Sequence, residues 1–138
     1  MGVDGISSGT VDIAISGLRA QRLRMDVIAN NIANVHTRQT DGGKPYRRRG
    51  VVLGARGTDE ILGGVQILRI AEDIASPFKK VRDPGDPSAD KDGFVLMSNV
   101  ELPREMIELV TASRAYQANA AVLKRHQDSI NTTLELLR

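Results

Sequence analysis

Two stretches, one towards each end of the chain, carry apolar residues about every 3.5 positions and hold almost no Gly or Pro. The first stripe runs Val11, Ala14, Leu18, Gln21, Met25, Ile28, Ile32, Val35. The second runs Leu102, Met106, Leu109, Ser113, Tyr116, Ala120, Leu123, Gln127, Ile130, Leu134, Leu137. Steps alternating between three and four place side chains on one seam of a helix and favour left-handed supercoiling against a partner. The pattern predicts a helix from about Val11 to Asn34. Residues 1–9 are expected to fray before it, and Ser8 or Thr10 is placed to cap it by accepting a bond from an orphan N–H. Gly17 lies inside this helix at a cost of roughly 1 kcal/mol relative to Ala, and leaves room for another backbone to approach. A second helix opens near Pro103, where the missing N–H would lack a partner anyway. Glu101, Glu105 and Glu108 suit the dipole at that end. A fully helical 104–138 would extend roughly 50 Å, longer than a small domain is wide, so part of its stripe needs another partner.

Between the helices lie nine of the thirteen Gly and four of the five Pro. Gly42, Gly43 and Pro45 mark a turn, and Tyr46 to Leu53 reads as a strand with a basic start at Arg47, Arg48 and Arg49. Gly54, Gly57, Gly63 and Gly64 read as loop punctuation, Val65 to Ile70 as a second strand, and Gly93 to Met97 as a short third one. Pro77, Pro84 and Pro87 argue against regular structure across much of 77–92. The expected class is α+β: an antiparallel coiled-coil pair of long N- and C-terminal helices with a small central antiparallel β-rich unit. The divisions fall at 1–36, 37–98 and 99–138.

At 138 residues a single domain is expected, but only 3% of the chain is aromatic. A core resting on Leu, Ile and Val is small, so stability should come partly from neighbouring chains. The stripes fit either a plain helical hairpin closed by the β unit or a hairpin that also packs against other copies. Ile13, Ile15, Leu23, Val27, Ile107, Val110, Val122 and Leu136 lie off the main stripes and favour the second account, because a helix apolar over more than one face is buried by more than one neighbour. Each is worth about 1.5–3 kcal/mol when fully buried. Gln21, Ser113 and Gln127 interrupt the seams, either fixing register or simply facing water.

Net charge is +2, distributed as +4 over residues 1–50, −2 over 51–100 and zero over 101–138. That balance does not argue for nucleic acid. The three consecutive arginines would be split between strand faces, and with two Tyr and two Phe stacking platforms are scarce. A salt bridge between subunits or plain solvation is the reading for them. Cysteine is absent, which excludes disulfides and thiol-based metal or redox sites. Asp86, Asp90 and Asp92 before Gly93 invite a calcium-loop alignment, but it puts Ser88 first and Asn99 last, where Asp and Glu belong. The acidic loop 83–92 therefore reads as a solvated turn or a contact for a neighbour's basic patch. His36 and His126 are the only histidines, and no phosphate-binding glycine loop is present, so neither an enzyme nor a cofactor is expected. The first ten residues lack a secretory signal, and no run reaches the ~18–20 apolar residues of a transmembrane helix.

Three ordered segments are more specific. Residues 29–37, Ala-Asn-Asn-Ile-Ala-Asn-Val-His-Thr, resemble the N-terminal signature of bacterial flagellar rod and hook proteins, and 113–123, Ser-Arg-Ala-Tyr-Gln-Ala-Asn-Ala-Ala-Val-Leu, resemble the C-terminal one. The segment 83–100, from Asp83-Pro84-Gly85-Asp86-Pro87 through Asp92-Gly93-Phe94-Val95-Leu96-Met97 to Asn99-Val100, points to one member of that family. Val35 in place of a more usual Ala, and Lys44 before Pro45-Tyr46, are mild departures. The resemblance implies a structural subunit that polymerises helically into the flagellar rod with other rod proteins and the export base, transmitting torque across the periplasm. It implies export by the flagellar type III apparatus without signal cleavage, terminal helices forming an inner layer around a central channel, and termini disordered before assembly. The alternative is a stand-alone helical-hairpin binding module. Candidate subunit-interface residues are Leu18, Met25, Ile28, Asn30, Asn31, Ile32, Asn34, Leu109, Tyr116, Gln117, Asn119, Leu123, Ile130 and Leu134. Asn30 and Asn31 can bond across chains. Asn34 can do the same, or end its helix in the left-handed conformation. Tyr116 is expected in the seam with its hydroxyl at the edge, and Gln117 and Asn119 as candidates for bonds between chains.

Overall fold

The protein, as a computed structural model, is described over residues 3–58 and 61–137. Helix α1 spans Val3–Ala33 and helix α2 spans Leu102–Leu136. Gly17 faces Asn119, and Asn31 bonds to Glu105, so the two helices run antiparallel side by side. Between them the chain forms strands β1 (Arg49–Thr58), β2 (Ile61–Glu72), β3 (Lys79–Arg82) and β4 (Phe94–Met97). β1 pairs with β2 and β3 with β4, giving two separate antiparallel two-stranded sheets. The class is α+β, as the sequence pattern predicts.

Several boundaries differ from expectation. α1 is already helical at Val3 and runs through Ser8 and Thr10, so the helix starts ahead of both positions expected to cap it. Residues 1–2 lie outside the described part. α2 opens at Leu102 behind Glu101, which makes no side-chain cap bond; Pro103 sits in the first turn as anticipated. The glycines at 54, 57, 63 and 64 do not break the strands. They lie within a long β1–β2 ribbon whose register shifts between Val52 and Leu53 and again between Ala55 and Gly57. Bulges of this kind absorb residues that would otherwise end a ladder and increase its twist. β3 was hidden by its flanking prolines, which sit outside the four paired residues and leave the ladder intact.

Asn34 ends α1 without the left-handed conformation, since no non-glycine residue among those described has a positive φ. Its side chain instead donates to the Asn30 carbonyl at 2.9 Å, and its Oδ1 accepts from the Thr37 hydroxyl at 3.1 Å. The Asn30 carbonyl is thus met by a side chain, while the Asn34 and Val35 N–H groups donate to the carbonyls of Asn31 and Ile32.

The ribbon is fastened to α1 at both ends. At Gly64, with φ +98, β2 comes so close to the helix that any Cβ would overlap Ser16 Oγ. That hydroxyl accepts the Val65 N–H at 3.0 Å and donates to the Ile13 carbonyl at 2.7 Å. The other fastening, at Arg49, is described below. Buried apolar side chains are few and mostly small: Ala14, Ala20, Val27, Ile28, Tyr46, Val95, Val100 and Ala112.

The seam of α2 also lies one residue from the predicted position at half its points. Its buried residues are Glu105 and Ala112, and Asn119 continues the same seven-residue step against Gly17. Leu109 and Leu123 hold the alternate positions half-buried, whereas Met106 is exposed. Helices this close admit only small or specifically bonded side chains between them, so the bulky members of the stripe point outward.

Candidate assembly surface and the junction that orients it

Where α1 ends, β1 begins and α2 begins, the chain buries a polar junction instead of an apolar one. Asn31, in the last turn of α1, is 0% exposed. Its Nδ2 donates to the Arg49 carbonyl at 2.8 Å and to Glu105 Oε2 at 2.9 Å. Its Oδ1 accepts the Arg49 N–H at 3.0 Å and the Tyr46 hydroxyl at 3.0 Å. Every donor and acceptor of this amide is used, as burial demands.

Glu105 sits in the first turn of α2 and is also 0% exposed. Its other oxygen accepts Arg48 Nε at 2.6 Å, while Arg48 Nη2 donates to Glu108 at 3.0 Å. Arg104 and Arg24 reach Glu108 at 3.3 and 3.7 Å. Burial pulls the Arg48 guanidinium down, but the hydrogen bond and charge of Glu105, with Glu108 and Asp73, outweigh it and hold it above its ordinary value. Burial is also the main reason the Tyr46 hydroxyl is pushed up. A buried carboxylate is tolerated only when paired and hydrogen-bonded, and two opposite faces of Glu105 meet that condition.

A second amide extends the junction outward. Asn99 Oδ1 accepts the Arg48 N–H at 2.7 Å, and its Nδ2 donates to the carbonyls of Asp73 and Ser76 at 3.2 and 3.1 Å. Arg47 donates to the same two carbonyls at 2.9 and 3.3 Å and lies over the Phe78 ring at 4.2 Å. The Asp73 carboxyl is lowered by the Ser76 N–H first and its hydroxyl second. Thus Arg47 and Arg48 are half-buried and engaged within the chain. Only Arg49 is half-exposed, paired with Glu72 at 3.4 Å. The acidic loop is likewise engaged within the chain, through Arg38 to Asp83 and Asp86.

The candidate interface residues divide by position. Ile28 and Asn31 are buried inside the chain. Leu18, Met25, Ile32, Asn34, Leu109, Asn119 and Leu123 are half-buried, and Asn30, Tyr116, Gln117, Ile130 and Leu134 are exposed. Asn30 bonds to the Asp26 carbonyl of its own helix at 3.0 Å. Asn119 packs over Gly17, where a Cβ would lie 2.7 Å from its Nδ2. The larger uncovered surface is on α2, where Ile107 is 69% exposed and Met106, Val110, Val122, Leu134 and Leu136 are also open. Sequence reasoning named most of these but missed Arg48, Glu105 and Asn99. The signal available was an Asn in the last turn of a helix and an acid in the first turn of another, with nothing to pair them.

Residues 12–38 match the family described as flagella basal body rod protein, and 91–136 match flagellar basal body rod FlgEFG protein C-terminal. The flagellar basal-body rod protein FlgC of Borreliella burgdorferi is 39% identical over 94% of this chain and 96% of its own length. The FlgC of Salmonella typhimurium is 40% identical over 91% of the chain and 93% of its own length; that of Bacillus subtilis is 35% identical over 92% and 95%. The chain belongs to the flagellar basal-body rod protein family. Within it, the similarity along nearly the whole chain is of the FlgC type, the member to which residues 83–100 pointed.

Proposed function

We propose that this rod subunit polymerises helically with copies of itself and with other rod proteins, its paired helices (1–36 and 99–138) facing inward around an export channel and its β unit (37–98) outward. Torque then passes across the periplasm through many lateral contacts. On this reading the chain has no catalytic role and reaches its place through the flagellar type III apparatus.

The observation that carries the proposal is the surface left uncovered. The chain exposes 10254 Å², whereas a compact monomer of 15.0 kDa would expose about 7,000 Å². A single sheet-covered helical hairpin cannot close this gap, because each half of the β unit has only two strands. Neighbouring subunits can. Leu18, Met25, Ile32, Leu109, Tyr116, Gln117, Leu123, Ile130 and Leu134 would supply the contacts, alongside the outward row Met106, Ile107 and Val110. Among the described residues no helix is long and apolar enough to cross a membrane, so a lipid phase does not account for this surface through a spanning helix.

The test is incorporation. Ile107→Glu with Val110→Glu changes two exposed side chains, so the free chain should keep its circular dichroism while basal bodies lose the subunit and cells lose motility. Normal swimming would reject the proposal, as would a free chain that sediments as a compact monomer at high concentration with its helices shielded.

A further inference from the structure

The chain holds three Asp–Gly steps, at Asp4–Gly5, Asp41–Gly42 and Asp92–Gly93. Such a step has a chemistry of its own, because no side chain shields the glycine nitrogen from the carboxyl carbon one residue back. The fold treats the three differently. Asp4 and Gly5 lie in α1, whose repeating dihedrals hold that nitrogen away from Cγ. At Asp92–Gly93 the backbone is clamped on both sides. The Asp92 N–H donates to Asp90 Oδ1 at 3.0 Å, and the Gly93 N–H donates to the Asp90 carbonyl at 3.0 Å. The Gly93 carbonyl accepts the Asp83 N–H at 2.9 Å, and Pro84 packs against the glycine.

Asp41–Gly42 is held by none of these devices. The Gly43 N–H donates to the Thr40 carbonyl at 2.8 Å, closing a turn with Asp41 and Gly42 at its centre. The Thr40 N–H and hydroxyl reach the Lys44 carbonyl at 2.8 and 2.9 Å. These bonds hold the flanks and leave the centre open. Among the described residues neither the Asp41 carboxyl nor the Gly42 N–H has a partner. Residues 41–44 are exposed, and two successive glycines let the backbone rotate until the nitrogen faces Cγ.

We propose that Asp41 is the site at which this folded chain isomerises spontaneously, and that its isoaspartyl form is a substrate for carboxyl methylation. The Gly42 nitrogen attacks Cγ of Asp41 in its acid form. The N–Cγ bond forms, and the nitrogen's proton leaves with the carboxyl hydroxyl as one water, giving a succinimide. One water then opens the ring. Opening at Cγ restores aspartate; opening at the main-chain carbonyl leaves Gly42 joined through Cγ, which is isoaspartate. Mass is unchanged and no oxidant is needed. The backbone gains one carbon inside the Thr40–Lys44 turn, and the former main-chain carbonyl becomes a free carboxylate. A methyl group passes to that carboxylate oxygen from the sulfonium of S-adenosylmethionine, leaving the thioether. The inference concerns the isolated chain and does not depend on the rod reading.

The test ages the full chain at neutral pH and maps isoaspartate by fragmentation mass spectrometry. A protein isoaspartyl methyltransferase with labelled S-adenosylmethionine supplies the second readout. In the folded chain isoaspartate should accumulate at residue 41 at least about tenfold faster than at residue 92, which must wait for local opening. In urea the two rates should converge, because both steps then have the same freedom. Gly42→Ala, for which the turn has room, should slow the reaction at 41 and leave that at 92 unchanged. The methyl label in aged protein should map to residue 41. Equal rates at 41 and 92 in the folded chain would overturn the proposal. So would aged protein that takes no label at residue 41.

Discussion

The side chain of Asn31 and the backbone of Arg49 exchange two hydrogen bonds, at 2.8 Å from amide to carbonyl and 3.0 Å from N–H to amide oxygen. A helical side chain thus does for the first residue of β1 what a neighbouring strand would do. The same amide faces Glu105 and Tyr46, so one residue couples three elements.

Replacing Asn31 by Ala should therefore lower stability by about 2–4 kcal/mol, because it orphans a buried hydroxyl and both backbone groups of Arg49. Asn31→Asp should be no better, since it cannot donate and sets a second carboxylate beside Glu105. Urea unfolding followed by circular dichroism measures both. A loss below about 0.5 kcal/mol, the range of ordinary surface changes, would contradict the junction described here.

Arg48 and Glu105 should behave as a coupled pair. Either Arg48→Met or Glu105→Leu alone should remove about 3–5 kcal/mol by stranding the other charge. The double variant should lose far less than the two losses added together, and the difference is read from a double-mutant cycle. Arg48→Lys should not substitute, since only the guanidinium fork can meet Glu105 through Nε and Glu108 through Nη2. Additive losses in the cycle would show the contact to be incidental.

Gly17→Ala should destabilise although Ala is the better helix former by about 1 kcal/mol. The added methyl would meet Asn119 Nδ2 at 2.7 Å and displace that amide from its place over Gly17 in the helix seam. In an Asn119→Ala background the same substitution should become neutral or favourable. The reversal of sign, measured by thermal unfolding, separates close packing from backbone entropy.

Acid should loosen the turn at 73–76 late. The Asp73 carboxyl accepts the Ser76 N–H at 3.0 Å and its hydroxyl at 2.8 Å, which holds it below its ordinary 3.8. A depressed carboxylate stabilises the fold above 3.8, and its contribution is lost as pH falls below that through the lower folded value. The Ser76 amide resonance should thus stay native-like at pH 4 and move only at more acid pH. Asp73→Asn should abolish that step, and a midpoint above 3.8 would refute the assignment.

Local pattern was enough for the long-range plan. Two seams of heptad-like spacing announced two long helices, a Gly- and Pro-rich middle announced a β unit, and three short signatures announced the family. These are properties that each segment carries without its neighbours: side chains at steps of three and four share a helix face whatever lies opposite. The excess of apolar side chains on α2 was legible for the same reason, because counting them needs no partner.

What the chain alone left open was which face of each helix turns inward. Periodicity cannot separate Met106 from Glu105, since they differ by one position, and hydrophobicity argues for the wrong one. Only with α1 in place is it clear that the gap admits Ala112 and Asn119 and that Glu105 can be buried because Arg48 and Asn31 reach it. The strand glycines and β3 were obscured likewise, since a ladder depends on its opposing strand. Segment propensities belong to the sequence; buried polar pairing belongs to the assembled fold, because a desolvated charge is permitted only by partners from elsewhere in the chain.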